Sequence, residues 1–414
     1  MVDKHFIIEP VRQRFLEQRL RSVFESFGFC EISTPTIELG GRLDDVFYSN
    51  MVFPGSGLIY QCTEHPGNYA FLRPDLTISI ARIVATHFRS LEKPIRLYYI
   101  SNSFLCDKLQ GEKETYHGGA EIIGANSQEA DIELIIMSIE ALQKAGLTEF
   151  QMDIGHVAFW DIIFKEAGFV DEETVRLKKL LRNKCFTSFI KEADRKDMAK
   201  DLKEIINNVP FLRGKFEFLN SLTSLSKYKD MTLLLENMTD TCRILDSYGL
   251  GDYFTIDFSM TGDLPYYSGY IFESYAKDIN LFLGSGGRYD RLLGQFGYNC
   301  PATGFSINIG NAIKALEKCQ SLAMPLGTPD FFITRDGSSV MTLFRIAREL
   351  RRKGFLVEVE ITKRNLEESL NYARNREIKS VIILGSNNLQ ERQILLKNME
   401  TGDETVIDFN EFLL

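Results

Sequence analysis

A chain of 414 residues, 44% hydrophobic and 25% charged, has ordinary globular composition and length for two or three domains. Its net charge of −9 argues against whole-molecule attraction to nucleic acid. The seven cysteines stand singly, as suits small core thiols in a reducing cytoplasm and leaves no paired zinc ligands, while the polar N-terminus and the lack of any run of ~18 apolar residues argue against a secretory signal or a membrane span.

In chain order, Val11, Phe15, Leu20, Val23 and Phe24 recur at helical spacing over residues 10–27, and Gly28 ends that helix. Phe29-Cys30-Glu31-Ile32 reads as a short strand. Residues 58–62 and 69–74 read as a hairpin across the turn Glu64-His65-Pro66-Gly67-Asn68. A helix over 76–88 leads to strands at 96–104 and 116–123, which pair across a polar loop. Residues 130–145 form an amphipathic helix with Gly146 as its stop.

From about 159 to 248 Lys, Asp, Glu and Leu dominate at helical spacing, which reads as a small helical insertion. Strands return at 254–258, 270–275 and 280–283, expected as an antiparallel ladder because their connections are short. Gly284, Gly286 and Gly287 read as the glycine-rich end of the last strand and its turn, open to close approach by a ligand. A break rich in Pro, Gly and Ser spans 318–330. Beyond it strands at 331–334, 355–361 and 380–384 alternate with helices at 340–352 and 366–374, a βαβαβ rhythm. The expected class is therefore α+β: an antiparallel sheet flanked by helices over 1–320, interrupted by a helical insertion at about 160–250, followed by an α/β domain over 328–414.

Several short segments stand in a telling order. They are Phe27-Gly28-Phe29-x-Glu31-Ile32-x-x-Pro35, Leu72-Arg73-Pro74-Asp75-Leu76-Thr77, the hairpin from Arg96 to Gly124, Tyr266-Tyr267-Ser268-Gly269-x-x-Phe272-Glu273, and Gly286-Gly287-Arg288-Tyr289-Asp290. Together they resemble the class II histidyl-tRNA synthetases over nearly the whole chain, and the segment ending Val381-Ile382-Ile383-Leu384-Gly385 resembles their anticodon-binding domain. The resemblance implies a pocket for free histidine. In it Asp75 and Thr77 stand where the α-amino group is held, Glu121 and His117 where the imidazole is read, and Tyr266, Tyr267 and Tyr289 wall the ring. Gly286 allows close approach, and Arg288 is a candidate anchor for a carboxylate. A buried acid facing an imidazole favours the protonated ring. The plain alternative for each of these residues is a structural hydrogen bond.

The cations of such an enzyme are missing. Phe104 is followed by Leu105, Asn311 stands where the third motif carries arginine, and Gly262 stands where a catalytic arginine precedes the double tyrosine. No arginine lies between Arg96 and Arg176, or between Arg291 and Arg335, so realignment cannot restore the first two. One donor to a transition-state oxyanion is worth ~10²–10³ in rate, so three losses remove most of the acceleration. Arg345, Arg348, Arg351, Arg352 and Lys353 share one helix, but nearby Glu349, Glu358 and Glu360 fit a solvated face better than an RNA surface.

This profile resembles the regulatory subunits of ATP phosphoribosyltransferase, synthetase paralogues without aminoacylation activity. That resemblance implies a non-catalytic, cytoplasmic homodimer with no cofactor or metal. It would assemble with a short-form catalytic subunit and take free histidine as its effector. Residues 330–414 depart from the shorter versions of that family. The alternatives are a divergent histidyl-tRNA synthetase or amino-acid ligase, and a synthetase-like accessory protein that binds nucleic acid.

Overall fold

The structure, a computed structural model, describes residues 5–40, 57–65, 68–104, 106–107, 114–262, 266–319, 328–337, 340–385 and 393–408. Leu105, parts of the 64–68 turn and of the 107–115 loop, residues 263–265 and most of the break at 318–330 lie outside them. The chain divides into two compact units, one of Gln13–Ala323 and the other of Met324–Leu414 with Met1–Arg12.

The larger unit is built on a nine-stranded sheet. From one edge its strands are Cys30–Glu31, Ile95–Ser103, Thr115–Ile123, Ala302–Asn308, Leu281–Arg288, Tyr270–Ala276, Phe150–His156, Phe254–Asp257 and Arg213–Gly214. The middle is antiparallel, but both flanks carry a parallel pair: Cys30 lies beside Leu97, and Phe254 beside Met152. The strand Phe254–Asp257 thus does not join the expected antiparallel ladder. Phe150–His156 inserts between it and Tyr270–Ala276, with Phe150, Met152 and Ile154 buried. The glycine run also departs from expectation. It is no turn: Leu281–Arg288 is one strand, paired on both sides from Gly284 to Gly287.

Period-two alternation on these strands selects one sheet face. Register sets Tyr99 beside Gly119, Glu121 beside Gly304, and Ser306 beside both Gly119 and Ser285. The glycines make room. A Cβ on Gly119 would meet the Tyr99 hydroxyl at 2.5 Å, and one on Gly304 would meet Glu121 Oε2 at 1.6 Å. Large polar side chains can therefore cross the face only where their strand neighbours are bare.

Helices pack on the sheet for local reasons. Gln128–Ala145 has Glu129 and Asp131 in its first turn, Lys144 in its last, and a left-handed Gly146 as its cap, all favourable to the helix dipole and termini. Leu134, Ile135, Met137, Ile139 and Leu142 are fully buried along it. Between Ala158 and Ser247 the chain is helical apart from Arg213–Gly214 and loops, held by an aromatic cluster of Phe159, Trp160, Phe164, Phe189 and Phe258. The Trp160 indole donates to the Phe258 carbonyl at 2.6 Å, which satisfies its buried N–H.

The smaller unit has a five-stranded sheet in the order Val357–Val359, Phe331–Arg335, Ser380–Leu384, Gln393–Asn398, Glu404–Asp408. The first three strands are parallel and the last two antiparallel, so a hairpin extends the expected βαβαβ core. Its helices are Val340–Arg352 and Leu366–Asn375, the second opened by a capping box of Asn365 and Glu368.

Candidate functional site

A cavity of about 770 Å³ opens on the bare face of the large sheet. Asp75, Thr77, His117, Tyr266, Tyr267, Gly286 and Tyr289, all expected at a site, line it. Asp75 arrives by helix geometry: it is the N-cap of Leu76–His87 and accepts from the Ile78 amide at 3.0 Å. Its second oxygen accepts from the Tyr266 hydroxyl at 3.4 Å. Burial pushes the Asp75 carboxyl above its ordinary range, against the backbone donor at Ile78 and the Tyr266 hydroxyl.

Glu121 lies directly behind the wall and is fully buried. Thr77 Oγ1 donates to its Oε1 at 2.8 Å, and the Tyr289 hydroxyl donates to Oε2. Burial pushes the carboxyl up to about 8, only partly opposed by those two hydroxyls, and the nearby Asp75 adds to the rise. Without a cation beside it, burial therefore favours the protonated form of Glu121 near neutral pH. The Tyr99, Tyr266 and Tyr289 phenols are buried too and stay protonated well above their usual range. An acidic pair inside a ring of phenols offers acceptors and aromatic faces that suit a positively charged, partly aromatic group.

His117 faces the same space, with Nε2 2.8 Å from Thr115 Oγ1 and Nδ1 3.1 Å from Ser306 Oγ. Gly286 touches the cavity with its backbone. A Cβ there would strike the Phe272 ring at 2.4 Å, so sheet packing by itself requires glycine.

Arg288 corrects the expectation of a carboxylate anchor. It does not line the cavity. Its Nε donates to Asp131 at 2.9 Å, Nη1 to the Ala125 carbonyl and to Asp290 at 3.1 Å, and Nη2 to the Ser127 carbonyl at 2.8 Å. Both Arg288 and Asp131 are buried, so the guanidinium ties the N-terminus of Gln128–Ala145 to the sheet. Arg73 is committed likewise. It donates to the carbonyls of Asn102 and Thr34 at 2.7 and 2.6 Å, and to Ser101 Oγ.

Sequence reasoning missed Tyr99, Ser103, Thr115, Ser285, Ser306 and Asn308 on the cavity wall. A signal existed: on paired strands they share the parity of His117 and Glu121. Two of the positions that lack arginine are visible. Asn311 lines the cavity and donates its amide to the Phe282 carbonyl at 2.9 Å. Gly262 has φ of +73°, and a Cβ on it would sit 2.7 Å from the Tyr267 ring. In the smaller unit, Arg351 donates to the Val357 carbonyl and Arg352 pairs with Glu349, which spends part of that basic helix within the unit. Among the described residues no helix is long and apolar enough to cross a membrane.

The family model for histidyl-tRNA synthetase matches residues 9–312, and that for the anticodon-binding domain matches residues 320–413. A protein of Acetivibrio thermocellus named ATP phosphoribosyltransferase regulatory subunit is 34% identical over 96% of this chain and 94% of its own. A crystal structure from Bacillus halodurans, described as an ATP phosphoribosyltransferase regulatory subunit/histidyl-tRNA synthetase, superposes with a TM-score of 0.77 at 27% identity, covering 91% of this chain and 94% of that one. The histidyl-tRNA synthetase of Nostoc has the same fold, with a TM-score of 0.82 at 20% identity over 97% of this chain and 94% of its own.

Proposed function

The chain belongs to the family of ATP phosphoribosyltransferase regulatory subunits, built on the histidyl-tRNA synthetase fold, and from that premise we propose that it is a histidine-binding regulator of the first step of histidine biosynthesis. It joins a short-form catalytic subunit, activates it, and transmits inhibition when free histidine fills the cavity. It acts as a cytoplasmic homodimer and performs no aminoacylation.

One combination carries the reading. Asp75, Glu121 and the tyrosines keep a receptor for a cationic amino acid, while Asn311 and Gly262 hold positions where an adenylating enzyme has arginine. An arginine could not simply return at 262. Its backbone would be left-handed and its Cβ would press on Tyr267. Adenylation needs positive charge on the α-phosphate, so this site favours holding a ligand over activating one. Regulation then needs a coupling free energy of ~1–3 kcal/mol between histidine at this cavity and substrate at the partner.

The test is reconstitution with a short catalytic subunit, followed by an activity assay with and without histidine. The reading expects co-purification, activation on assembly and inhibition by histidine. It falls if calorimetry detects no histidine binding to the chain or its complex, or if the chain supports histidine-dependent pyrophosphate exchange at an enzymatic rate.

A further inference from the structure

The cavity wall is chemically one-sided. At one end stand Asp75 and, just behind Thr77 and Tyr289, Glu121. The rest of the described wall is hydroxyl, amide, aromatic, aliphatic or backbone, apart from the His117 imidazole, whose two nitrogens meet the Thr115 and Ser306 hydroxyls; it includes Ser285, Ser306, Asn308 and Asn311, with neither lysine nor arginine among the described lining residues. The two arginines that the pocket motifs bring to this region are already engaged. Arg73 is bound to carbonyls and hydroxyls of Thr34, Ser101 and Asn102, and Arg288 to two aspartates and two carbonyls.

A zwitterion entering this space meets opposite conditions at its two ends. Its ammonium group gains a carboxylate partner in a partly desolvated site, where a charge-assisted hydrogen bond is strong. Its carboxylate gives up hydration for neutral donors and lies close to an acid of like charge. The second effect offsets the first.

We infer that in the isolated chain the cavity recognises the imidazole and ammonium of its ligand and gains no affinity from the carboxylate, so that imidazole amines without a carboxylate bind as tightly as free histidine or more tightly. This rests on the reading that the cavity takes a histidine-like ligand.

The experiment is calorimetric titration of the full isolated chain at pH 7.5 with histidine, the amino alcohol histidinol, and histamine. Dissociation constants for histidinol and histamine equal to that of histidine or lower, within about threefold, support the inference. Histidine tighter than both by more than about threefold overturns it. If histidine binds and the amines do not, only this inference falls. If none of the three binds, the histidine-pocket reading falls with it.

Asp75→Asn supplies an independent arm. Asparagine caps a helix as well as aspartate does, so Leu76–His87 keeps its N-terminal hydrogen bond. The variant is expected to weaken histamine by about tenfold or more and bare imidazole by less than about threefold. Equal losses for the two would remove Asp75 from the ammonium and overturn the inference.

Discussion

Replacing Glu121 with glutamine should change how the protein's stability depends on pH. The carboxyl moves from 4.5 in the unfolded chain to about 8 in the folded one, mainly because it is buried. At about 1.36 kcal/mol per pH unit this amounts to ~5 kcal/mol. The sign follows from proton binding. Between these two values the folded chain holds a proton that the unfolded chain has released, so stability falls as pH rises. The contribution is fully present below 4.5 and is lost as pH passes through about 8. Glutamine keeps the shape, its oxygen accepting from one of the Thr77 and Tyr289 hydroxyls and its amide donating to the other, which turns to accept, and it carries no titrating proton. Urea denaturation of both proteins at pH 5, 7 and 9 should show the variant gaining on the parent by several kcal/mol across the series, with ~5 kcal/mol as the upper bound. Asp75 stays displaced upward in both proteins, so the difference between the curves reports Glu121 and its coupling to that neighbour. Parallel curves would refute the argument, because they would mean Glu121 is ionised and solvated in the folded state.

Three further outcomes can be measured. His156 is half-buried, and desolvation together with nearby Arg288 lowers its value to about 4 from 6.5, so stability should fall by up to ~3 kcal/mol as pH drops through that window; NMR titration showing an ordinary imidazole would contradict this. Gly304→Ala drives a methyl group into Glu121 Oε2, and overpacking of ~1–3 kcal/mol together with lost histidine affinity is expected from thermal unfolding and calorimetry. Arg288→Met leaves Asp131 buried without its partner and should cost ~3–5 kcal/mol in denaturant titrations. A loss confined to ligand binding, with stability intact, would restore Arg288 as a ligand anchor.

Much of this architecture can be read before any coordinates exist, and the failures have physical causes. The paired strands Ile95–Ser103 and Thr115–Ile123 are legible because an apolar pattern and a polar loop agree. Phe150–His156 is equally alternating, yet it follows a helix stop and precedes a helical stretch, so nothing local marks it as an inner strand of the sheet. The run from Gly284 to Gly287 looks like a turn because glycine usually makes turns; here the residues stay in a strand, and a Cβ would meet neighbouring backbone at Gly284, the Phe272 ring at Gly286 and the Tyr267 ring at Gly287. Asp75, Thr77 and the double tyrosine could be placed at one cavity because short motifs carry them as units. The fate of Arg288 could not be read, since Asp131 and the carbonyls of Ala125 and Ser127 lie far away in the sequence and meet it only through folding.

The embedded guanidinium of Arg288 bears on how such proteins are recognised. A signature that looks diagnostic of chemistry here serves as a scaffold part, holding a helix to a sheet whatever the neighbouring cavity does. Selection for folding alone can therefore preserve Gly-Gly-Arg-Tyr-Asp in a lineage that has given up catalysis. A search that counts this string as proof of tRNA charging will misassign regulators as enzymes. The discriminating letters are at positions 262 and 311, where glycine and asparagine stand in place of arginine.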